Sequence, residues 1–201
     1  GKLRHISAVH FPERVVQKSL SQNALVPAIV PTLIAANSAN IKGRGTDYAL
    51  KLLKRHLADH WRRHGREGYI LLSDYFARIA HQPVKDQVAS ALLDPRVVAL
   101  EHRLIDAQGD VGLGLGSEPN QICAVAHPNR IDHYVIEMLR PEAYGRYMDD
   151  FYLIHESKDY LQVCLLLIER KCAELGIELN PRKTRVVKLT RGFTWLKKRI
   201  F

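Results

Sequence analysis

The stretch YGRYMDDFYLIH, residues 144–155, sets two carboxylates, Asp149 and Asp150, side by side between aromatic and apolar residues. The alternation on either side predicts a strand, a tight turn and a second strand. Asp tolerates turn geometry, which puts the two acids at or near the turn. Adjacent carboxylates repel, and burying them raises the pKa of at least one. A divalent cation removes the conflict. Mg²⁺ is hard, prefers oxygen ligands, and is usually held by one or two carboxylates together with substrate phosphates. Two such ions about 3.5–4 Å apart stabilise both the attacking and the leaving oxygen of a phosphoryl transfer. A bare Asp-Asp is more often a solvated acidic turn; here the aromatic flanks and a basic chain favour the metal reading.

Downstream of the hairpin, Ser157 caps a helix over KDYLQVCLLLIERKCAEL, and Gly176 is its stop. IEL (177–179) reads as a strand, Asn180-Pro181 as a turn, and RVVKL and FTWLKKRIF as further strands. Upstream, NIKGRGTDYALKLLKRHLADHWRRHGREG reads as a loop and then a helix, N-capped by Thr46 or Asp47 and ended by Gly65 and Gly68. YILL (69–72) is a short buried strand. HQPVKDQVASALL and PRVVALEHRLIDA are helical, and GDVGLGLGSEPNQ is a glycine-rich turn region before another helix, irregular at Pro128. Residues 1–40 carry short apolar runs broken by Pro12, Pro27 and Pro31. Helices and strands mix irregularly, with hairpins near the C-terminus. That pattern predicts an α+β fold with an antiparallel sheet packed on helices.

The 201 residues fit one domain, or one domain with a loosely built lobe. With 46% hydrophobic and 25% charged residues there is material for a real core. No apolar run reaches the roughly 18–20 residues of a membrane span, and the first residues lack a signal-peptide run, so a cytoplasmic location is expected. Cys123, Cys164 and Cys172 form no CxxC pair and predict buried, reduced thiols. The net charge of +9 is uneven: residues 180–201 hold eight Lys/Arg and no acid. A second basic cluster runs from Lys51 to Arg66. Such blocks favour polyanions through counterion release, or are simply solvated surface. His56, His60 and His64 recur every four residues on that second segment. They offer a zinc reading, but no cysteine lies nearby to complete it. A basic helix facing nucleic acid, with Arg62 and Arg63, is the favoured reading.

YMDD followed by an apolar strand, a helix and GIELNPRKT resembles the palm of reverse transcriptases. FPERVVQKSL (11–20) resembles their opening segment, SANIKGRGTDYAL their fingers, and SDYFARIAHQPV the end of their first palm motif. GLGLGSEPNQ (112–121) is similar to their template-contacting loop, and GFTWL (192–196) to their primer grip. The motifs follow the family order over nearly the whole chain, nearest to the bacterial group II intron, retron and diversity-generating types. The resemblance implies a right-hand polymerase. Its fingers would comprise residues 1–68 and 82–111, and its palm residues 69–81 and 112–201. The palm ends at the primer grip, and no thumb follows. It implies an RNA-directed DNA polymerase using two Mg²⁺ ions (or Mn²⁺), dNTPs, an RNA template and a DNA or RNA primer. An accessory protein or a cognate structured RNA is a further expected partner, and a membrane is not. Asp149 and Asp150 would be metal ligands, Lys42, Arg44 and Arg14 would meet the triphosphate, and Gln121 would pack against the template. Tyr147 would touch the primer end, and Lys183 would sit near the leaving pyrophosphate.

The first palm motif of the family supplies a third carboxylate five residues before an aromatic steric gate. Aligning Phe76 as the gate puts Leu71 at the position of the acid, and leucine cannot bind a metal. Three readings stay open: Asp74 substitutes from a shifted register, residues are missing after Leu72, or the protein binds nucleic acid without polymerising. Asp74 is the favoured third ligand. A protein-primed or template-independent polymerase and a plain interaction domain are further alternatives.

Overall fold

A computed structural model of the chain describes residues 9–75, 79–109, 112–113 and 116–201. In chain order the elements begin with helix α1 (Phe11–Leu20), a π turn (Ser21–Leu25), α2 (Val26–Ile29) and a 3₁₀ turn (Val30–Thr32). Then come α3 (Thr46–His64), β1 (Tyr69–Asp74), α4 (His81–Ala91), α5 (Pro95–Asp106), α6 (Glu118–Ala126) and α7 (Asn129–Tyr134). The hairpin β2 (Ala143–Tyr147) and β3 (Asp150–His155) precedes α8 (Lys158–Glu174) and β4 (Arg185–Lys188). β5 (Phe193–Trp195) and β6 (Lys198–Ile200) close the list of strands. The mixture of helices and antiparallel sheet is the α+β architecture the sequence predicts.

The chain divides into two compact units, residues 1–33 with 78–129 and residues 34–77 with 130–201. In the first, Leu20, Leu25 and Ile29 pack with Ile122 and Ala126, while Val84, Val88, Ile105 and Cys123 form a second cluster. The prolines of the first 32 residues interrupt less than the sequence suggests. Pro12 stands in the first turn of α1, where the missing N–H costs nothing, while Pro27 and Pro31 follow directly on helical residues, each just after a change of helix type. The widened π turn absorbs the approach to Pro27.

The second unit is built on a four-stranded sheet of order β2-β3-β1-β4, antiparallel throughout. Alternation divides its faces. Leu71, Phe151 and Leu153 face α8, packing on Leu161, Cys164, Ile168 and Cys172. Ile70, Leu72, Tyr152 and Ile154 meet Ala49 and Leu53 of α3 and Phe193 and Trp195 of β5. Leu71, the residue where the motif would carry an acid, is fully buried opposite Leu153 and Val186. Gly145 lies across from Tyr152, and a Cβ there would fall 2.6 Å from the phenol oxygen; glycine is what lets that ring lie flat on the hairpin.

Two local expectations need correction. Gly45, not Thr46 or Asp47, is the N-cap of α3; Thr46 is its first helical residue. IEL does not form a strand: only the single bridge Tyr75–Leu179 is made. Its backbone is taken at one end by the cap of α8, where the Ile177 N–H donates to the Cys172 carbonyl (2.9 Å). At the other end the Asn180 N–H donates to the Asp74 carbonyl (2.9 Å) as the next turn begins. The three cysteines are buried and free.

Candidate active site

Pairing of Tyr147 with Asp150 leaves Met148 and Asp149 as a two-residue hairpin turn. Met148 takes φ +55°, a left-handed conformation that only a supported turn holds in a residue bearing a Cβ. The support is Arg146, fully buried on β2. Its Nη1 donates to the Met148 carbonyl (2.8 Å), and its Nε and Nη2 bind the Asp132 carboxylate at 2.6–2.9 Å. The Tyr144 hydroxyl also donates to Asp132 (2.5 Å). Burial works against the charge on Arg146, but Asp132 outweighs it and raises the guanidinium pKa above its ordinary value. The turn that presents the carboxylates is thus clamped from beneath by a desolvated ion pair. Neither Arg146 nor Asp132 was singled out by the sequence: they lie 14 residues apart on different elements, and no spacing rule joins them.

On β1, Asp74 stands directly opposite Asp150, so the two side chains share one sheet face. Asp74 is buried, Asp150 half-buried and Asp149 exposed. Burial first, and then the Asp149 carboxylate, push Asp150 up to about 6, while Lys183 pulls the other way. The Lys183 ammonium donates to Asp74 Oδ2, and this bond raises its pKa. Asp74 Oδ1 is buried and has no hydrogen-bond partner among the described residues. The three carboxylates do not bring ligand atoms within 4.8 Å of one another among the described residues; Lys183 supplies the local positive charge. The donors are hard carboxylate oxygens, one of them orphaned, which is the chemistry a divalent oxygen-seeking ion takes. A cavity of about 500 Å³ opens beside them, lined by Thr46, Leu72, Tyr147, Asp150, Lys183 and Trp195, with Arg185 and Lys197 from the basic C-terminal block.

Of the remaining predicted residues, Tyr147 lines that cavity and its hydroxyl accepts from Thr46 (3.2 Å). Arg44 donates to the carbonyls of Ala35 (3.0 Å) and Asn37 (2.6 Å) and lies over the Tyr48 ring. Its loop, with Gly43, Gly45, Thr46 and Lys51, borders a second cavity of about 520 Å³ at the start of α3. Lys42 is exposed on the same loop. In the other unit, Arg14 is exposed on α1 and donates to the Val9 carbonyl (3.3 Å), and Gln121 is exposed on α6. Ser117 caps α6 after the glycine-rich loop, of which residues 114 and 115 lie outside the described residues. Phe76 also lies outside them.

Residues 122–197 match the family model for reverse transcriptase (RNA-dependent DNA polymerase). The match contains Asp149, Asp150 and Lys183 and begins after Asp74. The fold is similar to that of solved telomerases. Telomerase from Candida albicans, in complex with the TWJ fragment of telomeric RNA, superposes with a TM-score of 0.62 at 14% identity, covering 92% of this chain and 36% of that one. Apo telomerase from Candida tropicalis, truncated from its C-terminal domain, gives 0.59 at 15% identity over 92% of this chain and 42% of that one. Candida tropicalis telomerase with the same RNA fragment gives 0.60 at 13% identity, over 91% and 34%. The chain thus spans well under half the length of these structures. No curated protein sequence matches it significantly. No helix among the described residues is long and apolar enough to cross a membrane.

Proposed function

We propose that this chain carries the fingers and palm of an RNA-directed DNA polymerase of the bacterial retroelement type, a nucleotidyltransferase that extends a primer 3′-OH with dNTPs on an RNA template. The observation that carries the reading is the placement of Asp74 directly across from Asp150, beside Asp149 and under Lys183, on a face open to a cavity. The matched family model and the shared telomerase fold support it. The telomeric RNA held by two of those telomerases supports an RNA partner for this fold. The retroelement branch is proposed from the resemblance of the motifs themselves to the group II intron, retron and diversity-generating types.

Asp149, Asp150 and Asp74 would hold two Mg²⁺ or Mn²⁺ ions. When bound, such ions lower the pKa of the attacking hydroxyl and neutralise the triphosphate and its leaving group. The chain's own residues then have separate tasks. Asp149 and Asp150 keep a fixed negative pocket because Arg146 holds the turn. Lys183, which donates to Asp74, would lie near the departing pyrophosphate, where its ammonium would stabilise or protonate the leaving group. Tyr147 walls the cavity at the primer end. Lys42, Arg44 and Arg14 are assigned to the triphosphate, Gln121 and the loop before it to the template, and Phe76 to the sugar gate. Residues 1–68 with 82–111 are assigned to the fingers, and 69–81 with 112–201 to the palm, at work in the cytoplasm.

The test is Mg²⁺-dependent extension of a primed RNA template. Asp149→Ala and Asp74→Asn should abolish extension and leave duplex affinity nearly intact; extension at the parental rate in either variant overturns the assignment. One observation favours a second reading, a catalytically silent nucleic-acid-binding relative. Leu71 fills the place of the motif's acid and is buried in the core, so it can contribute nothing to a metal. Parental chain that binds duplex without extending it would select that reading.

A further inference from the structure

At the other end of β3 from Asp150, the last turns of α3 meet the start of β2. The three-imidazole face expected on α3 is divided there by the fold. His56 Nδ1 pairs with the Tyr152 hydroxyl (2.9 Å) and turns away. His60 is 1% exposed, so the helix face expected to meet nucleic acid is here packed inward; Arg62 and Arg63 remain outside. His60 Nδ1 lies 2.8 Å from Glu142 Oε2, and His64 Nε2 lies 3.2 Å from the same oxygen. The three atoms lie within 4.8 Å of one another.

We propose that His60 Nδ1, His64 Nε2 and Glu142 Oε2 form a structural binding site for a zinc-class divalent ion, separate from the aspartate cradle. Ligands of a tetrahedral zinc bound at about 2.0–2.1 Å stand roughly 3.3–3.4 Å apart, so the two nitrogen–oxygen spacings of 2.8 and 3.2 Å need to open by about half an ångström or less. Two histidines four residues apart on one helix face are the spacing that lets a helix chelate a metal. The far sides of the ligands are already arranged. Zinc-binding imidazoles nearly always donate their second N–H to an oxygen, which fixes the ring and its tautomer. Here His60 Nε2 faces the Glu67 carbonyl (2.7 Å) and His64 Nδ1 faces the Glu156 carboxylate (2.9 Å). Glu142 Oε1 accepts the Glu156 backbone N–H (3.0 Å), leaving Oε2 for the ion.

The pocket for His60 is also built into the backbone. A Cβ on Gly68 would lie 2.2 Å from His60 Nε2, so only glycine lets the imidazole tuck beneath this turn. Among the described residues, Arg63, 3.8 Å from Glu142 Oε2, is the opposing charge in contact; it is half-exposed, and its Nε donates to the Asp59 carbonyl (3.2 Å). Imidazole donors select zinc-like ions over magnesium. With three protein ligands the fourth position falls to water, and no glutamate follows His60 as in the hydrolytic helix motif; what the ligands join is α3 and the start of β2, which makes the ion a brace. It ties α3 to both strands of the hairpin that presents Asp149 and Asp150.

The test is zinc titration of chelator-stripped protein in excess Mg²⁺, with Co²⁺ as the spectroscopic probe. One equivalent of zinc should bind, cobalt should give an intense tetrahedral visible band, and zinc should raise the melting temperature. His64→Asn and Glu142→Gln should each weaken binding by about a hundredfold or more. Asp150→Asn should leave stoichiometry and spectrum unchanged. Absence of stoichiometric uptake, a weak octahedral cobalt spectrum, or uptake indifferent to both variants overturns the site and leaves a hydrogen-bonded imidazole–carboxylate network. If either variant fails to fold, protection of the part-exposed His64 from acylation by zinc in the unaltered chain decides in the same way.

Discussion

Replacing Arg146 by methionine tests whether the aspartate-bearing turn rests on the buried ion pair. The side chains of Arg146 and Asp132 are both 0% exposed, and the substitution removes three hydrogen bonds of 2.6–2.9 Å between them. Asp132 would remain buried with the Tyr144 hydroxyl as its remaining strong donor in that group. Breaking a buried pair on one side costs about 3–5 kcal/mol, most of it the stranded charge. Against a total stability of roughly 5–15 kcal/mol this is a severe loss. Urea unfolding followed by circular dichroism measures it directly. The double variant Asp132→Leu/Arg146→Met removes both charges and should recover most of the lost stability. It should not recover primer extension, because the Arg146 hydrogen bond that holds the Met148 carbonyl and the strained turn above it is then lost. A single-variant cost below about 1 kcal/mol, or a double variant no better than Arg146→Met, refutes the reasoning.

Three further outcomes follow from other parts of the chain. Lys183→Ala should slow single-nucleotide incorporation by about a hundredfold or more while template affinity changes little, the loss expected of a positioned proton donor in rapid-quench kinetics. Burial and Asp149 hold Asp150 at about 6, above its unfolded value of 3.8, so folding of the metal-free protein takes up a proton between these values. Stability from this group is therefore present at low pH and lost as pH rises through about 6. Mg²⁺ should raise the melting temperature more near pH 7.5 than near pH 5, and an equal rise at both contradicts the assignment. Glu101 is fully buried; Cys123 donates to one oxygen (3.2 Å), and the other has no partner among the described residues. Burial pushes it up to about 7 from 4.5, so the native state keeps its proton while the unfolded chain loses it. Glu101→Gln should be more stable than the parent by up to about 3 kcal/mol near pH 8 and close to equal near pH 4.5, measured by urea titration at each pH.

The hairpin was legible because its signals are local: period-two alternation and acids that tolerate a turn. The long helices α3 and α8 and the strand YILL were legible for the same reason, each carrying its own periodicity and stops. Pro27 misled because a proline reads as a break, whereas here the chain stays helical through it after a π turn. IEL misled because two apolar residues alternating about Glu178 look like a strand, while the cap of α8 and the following turn claim its hydrogen bonds. The candidate site divides in the same way. Asp149 and Asp150 announce themselves by adjacency, whereas Asp74 depends on the register of β1 against β3, which no local pattern states. Arg146, Asp132 and Glu142 gave no signal, because their significance lies in partners supplied by other elements.

The most direct measurement is Mn²⁺ occupancy by electron paramagnetic resonance, with primed RNA template and a dNTP present. Manganese bound by the parental chain should be lost or sharply weakened in Asp150→Asn and in Asp74→Asn. Equal occupancy in parent and variants would show that these carboxylates hold no catalytic ion.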